Sequence, residues 1–154
     1  MSHRTETIAP LAHDVPFDFE PVAGVPFPVL FQTEDDTVLI YRGYGVVVAH
    51  FDGCLITRFG YPNDEALGGH PLYASGLRHY GVFEVHGSSW PEELETQNRR
   101  VFPDSHSFDY RHFIFTFHDS TFECLAAAIR LESFIQPLAE VVDRVQREMC
   151  ARLV

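Results

Sequence analysis

The chain contains no lysine: its eleven basic residues are all arginine, against twenty-two acidic ones. That absence excludes Schiff-base catalysis by a side-chain amine and a Walker-type phosphate loop, each of which needs a lysine. A formal net charge of −11 repels phosphate backbones and anionic lipid surfaces, so neither nucleic acid nor membrane is expected as a partner. No apolar run approaches the ~20 residues of a bilayer-spanning helix. The opening "MSHRTETIAPLAHDVPFDFE" lacks the charged-then-apolar order of a secretory signal, and the expected location is cytoplasmic. Cysteine is scarce. Cys54, Cys124 and Cys150 are odd in number and show no CxxC or zinc-knuckle spacing, which suits reduced thiols better than a disulfide framework.

Aromatic residues are plentiful instead. Fourteen phenylalanines in 154 residues, within a 45% hydrophobic composition, predict a single domain whose core is built on ring packing. Residues 1–25 carry prolines and acidic groups that discourage helix, and read as an N-terminal arm. Residues 26–154 read as one α+β domain. Its expected frame is a mostly antiparallel sheet of five to seven strands, with a short helix and a long C-terminal helix packed on one face.

"VLFQ" and "TVLIYRG", either side of "EDD", predict one hairpin. "YGVVVAHF" and "CLITRF", joined by Asp52-Gly53, predict another, with Phe51 facing Cys54 and His50 facing Leu55. "HYGVFEVHG" alternates as a strand, with Glu84 and His86 on one side and Phe83 and Val85 on the other. "SSWPEELETQNRR" predicts a helix capped by Ser89 and Glu92. The segment Gly60 to Leu77 has no sustained periodicity; a connection of that length is often a functional loop or lid, and it carries Asp64 and His70.

The stretch "RHFIFTFHDSTFECLA" places Phe113, Phe115 and Phe117 on one strand face and His112 and Thr116 on the other. Ser120 and Glu123 then have capping-box spacing, which predicts a helix through "ECLAAAIRLESFIQ", kinked or restarted at Pro137. The last helix has an apolar side of Leu138, Val142, Val145 and Met149, suited to packing on the sheet or to a homodimer seam.

Two constellations follow. If neighbouring strands shared a face, Glu84, His86, His112 and His118 would converge. That set suits general acid–base work, with His118, Glu84 and His112 as catalytic groups, or a divalent metal as a lesser alternative to having no cofactor. A helix starting at Asp119 and Ser120 would offer N–H groups to an anionic ligand, although capping explains Ser120 as well. His86, His70 and Trp90 complete the ligand-binding candidates. Trp90 either closes a pocket or staples its helix.

Two functions are compatible with these features. The first is a cytoplasmic binding or accessory protein that recognises a protein partner or small ligand, an immunity-type inhibitor being one example. The acidic charge and the lack of a sharp catalytic motif favour it. The second is a small enzyme of the lyase, isomerase or hydrolase kind, working through the His/Glu cluster.

Overall fold

The computed structural model describes residues 8–15, 17–105 and 109–154; residues 1–7 of the arm lie outside them. Two antiparallel sheets pack face to face. One has the strand order β1-β6-β7-β8-β5, built from β1 (Leu11–Asp14), β5 (Ile56–Gly60), β6 (Val82–His86), β7 (Arg111–Thr116) and β8 (Thr121–Ala126). The other runs β2-β3-β4-β9, from β2 (Val29–Gln32), β3 (Thr37–Gly43), β4 (Gly45–Asp52) and β9 (Ala128–Phe134). Two helices complete it, α1 (Trp90–Arg99) and α2 (Leu138–Ala151). The α+β class and antiparallel pairing hold, whereas the expected single sheet is two. No helix among the described residues is long and apolar enough to cross a membrane.

The sheets meet through the inward residues of alternating strands. Phe113, Phe115, Phe117 and Phe122 from the five-stranded sheet pack on Leu39, Tyr41, Val47, Ala49 and Phe51 from the four-stranded one. The rings meet largely edge to face: Phe51 lies 5.7 Å from Phe115 and Tyr41 lies 5.2 Å from Phe117. Such contacts add to an already large burial of apolar area. Tyr41 brings its hydroxyl into this layer, and it donates to the Phe19 carbonyl at 2.6 Å.

Both outer faces are also covered. Val141, Val145 and Met149 of α2 lie on Val38, Ile40, Val46 and Val48, with Leu138 and Val142 partly buried beside them. The apolar side of that helix therefore packs on its own sheet. On the other side, Leu67, Leu72 and Leu77 of the long Gly60–Leu77 loop are buried against Phe83, Val85 and Ile114. Two short 3₁₀ turns, Leu67–Gly69 and Tyr73–Ser75, give this loop its only regular structure among the described residues.

Two further expectations are overturned. Asp52-Gly53 does not close a β4–β5 hairpin. Gly53 takes a positive φ (+58°), as a tight turn requires, but β4 pairs with β3 and β9. Both edges of β4 are thus occupied, and β5 crosses to the other sheet to pair with β8. The predicted helix after Ser120 is also absent: "TFECLA" and "AIRLESF" are β8 and β9. Phe122, Cys124 and Ala126 face the core at every second position, so burial against the second sheet overrides the helical propensity of Ala, Leu and Glu. Helix resumes only after Pro137, which precedes the first residue of α2.

Replacement of Phe115, fully buried between the sheets, tests this architecture. Phe115→Ala is expected to lower the unfolding free energy by about 3–5 kcal/mol, read as a lower urea midpoint at unchanged slope. A loss of about 0.5 kcal/mol, typical of a surface site, would contradict the two-sheet core.

Candidate functional site

Register determines which polar groups meet on the outer face of the five-stranded sheet. Val85 stands opposite His112, and His112 opposite Leu125. In the next row, Ile114 stands opposite Glu123, and Glu123 opposite Arg58. His112 and Glu123 are thus diagonal neighbours on adjacent strands, a separation that long side chains bridge. The long loop passes above them and lowers His70 onto the same spot.

Glu123 is the centre of the arrangement. Its Oε1 is 2.9 Å from His112 Nε2 and its Oε2 is 3.2 Å from His70 Nε2, with all three side chains nearly buried. A carboxylate only accepts, so both Nε2 atoms carry the protons. The Leu72 N–H donates to His70 Nδ1 at 3.1 Å, which fixes that ring's tautomer independently. On His112 the remaining nitrogen, Nδ1, is 2.8 Å from Ser88 Oγ. Ser88 Oγ also accepts the Trp90 N–H at 3.2 Å, leaving its own proton to point at His112. A directed path results: Ser88 O–H to His112, His112 N–H to Glu123.

Burial alone would push the Glu123 carboxyl up, but the hydrogen bonds from His112 and His70 outweigh it and hold it at about 2. The group is a carboxylate at any working pH. It can stabilise an imidazolium at His112 without taking the proton itself.

This path forms one wall of a cleft of about 390 Å³, large enough for a small metabolite. Pro71, Leu72, Val85 and Trp90 give it an apolar side. Trp90 is buried, stands edge-on to His112 at 5.1 Å, and carries the Arg58 guanidinium over its indole at 4.0 Å.

Of the residues anticipated from sequence, the cleft brings together His112, His70 and Trp90. Glu84 and His86 are elsewhere. Glu84 stands opposite Phe113, so it shares the inward face, and Arg111 clamps it at 2.7 and 2.9 Å. That clamp holds its carboxyl below the ordinary range. His86 lies 4.0 Å from Glu84 and stacks near His13. His118 belongs to a third place. Its Nδ1 is 2.7 Å from Asp64 Oδ2, which also accepts the Tyr80 hydroxyl at 2.7 Å. Tyr80 takes a left-handed backbone (φ +52°), unusual without glycine, to reach this bond. Together with Asp64 N–H donating to the His118 carbonyl at 2.8 Å, these contacts clasp the long loop onto the β7–β8 turn.

Asp119 and Ser120 form that turn, where Phe117 N–H donates to the Ser120 carbonyl at 2.9 Å. With no helix beginning there, the anion site expected from its N-terminus has no basis. The four residues Glu84, His86, His112 and His118 do not share one surface, and no group of three or more His, Cys, Asp or Glu among the described residues is arranged to hold a metal.

Sequence reasoning missed Glu123, Ser88 and Arg58. Glu123 has capping-box spacing after Ser120, and its place on the outer face follows only from "TFECLA" being a strand. Ser88 carries a visible signal, its place two residues before Trp90 at a helix start, beside the Ser89 expected as the cap. Arg58 gave none, since its partner across the sheet lies 65 positions away in the chain.

The lowered Glu123 value has a consequence for acid stability. The folded-state pKa lies below the unfolded value of 4.5, so the stabilisation is complete above that pH and is lost as pH falls toward about 2. The gap corresponds to roughly 3 kcal/mol. Urea unfolding at pH 6 and pH 3 is expected to show a markedly smaller acid loss in Glu123→Gln than in the wild type. Equal acid slopes in the two proteins would mean that the carboxylate is not held in this way.

No family model matches the chain, and no curated protein or solved structure matches it either.

Proposed function

We propose that this protein is a small hydrolase with Ser88 as nucleophile, His112 as general base and Glu123 as the group that orients and stabilises the base. The observation that carries this reading is the unbroken Ser88–His112–Glu123 hydrogen-bond path along the wall of the cleft. Of the lyase, isomerase and hydrolase options, a serine hydroxyl at the head of the path favours the last.

In the first step Ser88 Oγ attacks a carbonyl carbon of an ester or amide while its proton passes to His112 Nδ1. Glu123 faces the opposite nitrogen and stabilises the imidazolium so formed. That proton then leaves with the alcohol or amine as the acyl bond breaks. Water, deprotonated by the same nitrogen, releases the acid and restores Ser88. His70 acts as a positioning residue, because its hydrogen bond holds the second carboxylate oxygen and keeps Oε1 directed at His112.

A non-enzymatic binding protein remains the second reading, and one observation favours it. Beyond the end of α1, Val101 and Phe102 are exposed beside an open groove of about 370 Å³. An immunity-type inhibitor would use such a face, and Ser88→Ala would leave its binding intact.

A serine-directed fluorophosphonate probe separates the two. Labelling is expected in the wild type and in Ser89→Ala but not in Ser88→Ala. Hydrolysis of p-nitrophenyl acetate is expected to fall by about 10³-fold or more in Ser88→Ala and His112→Gln. Labelling at another serine, or equal turnover in wild type and Ser88→Ala, would remove the hydrolase reading.

A further inference from the structure

We infer that the cleft takes an anionic ligand, a small molecule whose carboxylate or phosphate group docks on Arg58. This inference rests on reading the cleft as the active site and names its substrate class: short-chain compounds with an oxyanion a few atoms from the bond to be cleaved.

The charge pattern is the first argument. With twice as many acidic as basic residues, most arginines in this chain have found a carboxylate. Arg78 holds Asp14 at 2.9 Å, Arg99 holds Glu95 at 2.6 Å, Arg111 holds Glu84 at 2.7 Å and Arg147 holds Asp143 at 2.7 Å. Arg58 holds none among the described residues; its contact is with the face of Trp90. Nor is distance along the sheet the reason, since Glu123 stands directly opposite it. The Glu123 oxygens are directed at His112 and His70 instead, while the Arg58 guanidinium lies over Trp90. A guanidinium held over an indole keeps all its N–H donors available, in the fork geometry that matches carboxylate and phosphate.

Placement is the second argument. Arg58, Trp90, His112 and Glu123 all line the same cleft, so an anion on Arg58 would share it with the Ser88–His112 pair. The apolar wall of Pro71, Leu72 and Val85 suits a short hydrocarbon segment between the two ends. Glu93 also lines the cleft from the first turn of α1, where its carboxylate opposes an anion and limits affinity.

Trp90 is the chain's single tryptophan, so its fluorescence reports on this cleft alone. Titration with glutarate and, separately, inorganic phosphate is expected to give a saturable change in Trp90 emission, confirmed by calorimetry, while neutral glutaramide gives none. The stronger response of the two identifies the oxyanion. Arg58→Gln is expected to weaken binding about ten- to hundredfold, with Arg58→Lys in between, and Glu93→Gln is expected to tighten it. In turnover, the p-nitrophenyl monoester of glutarate is expected to exceed the acetate ester in kcat/KM, and Arg58→Gln to lower kcat/KM for the glutarate monoester at least tenfold more than for the acetate ester. Absence of saturable binding of either anion, or binding unchanged in Arg58→Gln, would overturn the inference whatever the esterase result. Anion binding with no turnover would strike the hydrolase reading and leave the anion site standing.

Discussion

A carboxylate on a strand whose surroundings exclude most water must be met by donors, because an unpaired buried charge is among the most destabilising features a fold can carry. Glu123 is such a group, and its two imidazole bonds join three separate parts of the chain. His112 comes from the neighbouring strand, His70 from a loop more than forty residues upstream, and Ser88 follows through His112 from the start of α1. Loop, strand and helix are aligned by the same pair of oxygens. The cleft is the space that remains between them.

This dependence explains why the long loop is not a loose lid. Its leucines are buried against Phe83 and Ile114, its Asp64 is clasped by Tyr80 and His118, and its His70 closes on Glu123. Each attachment lies on a different strand or turn of the five-stranded sheet, so the loop is held at three points. A histidine held this firmly keeps the Glu123 carboxylate oriented toward His112. His118 adds to this hold through its 2.7 Å contact with Asp64.

Both halves of the site also depend on strands that change sheets. Asp52 to Leu55 carries the chain from β4 to β5, and Ala127 carries it from β8 to β9, with Ala127 N–H donating to the Asp52 carbonyl at 2.9 Å where the two crossings meet. The first crossing places Arg58 beside β8, and the second leaves Glu123 on the outer face while Phe122 and Cys124 fill the core. Had Asp52-Gly53 closed a simple hairpin, Arg58 and Glu123 would lie in different sheets.

Local patterns in the sequence determined much of this protein: the β2–β3 hairpin, the alternating β6 and β7, the inward Phe113, Phe115 and Phe117, the helix at Trp90, and the amphipathic α2 behind Pro137. These depend on a residue's near neighbours and on side-chain period, which any stretch of chain displays by itself. Tertiary structure decided the rest. Whether "TFECLA" became helix or strand turned on a second sheet that was waiting to bury its alternate residues. Which histidines gathered turned on register, since a shift of one position moves a side chain to the opposite face. Glu84 and His112 therefore parted, while Ser88, His112, Glu123 and Arg58 met through pairings between distant segments, a relation that no local pattern encodes.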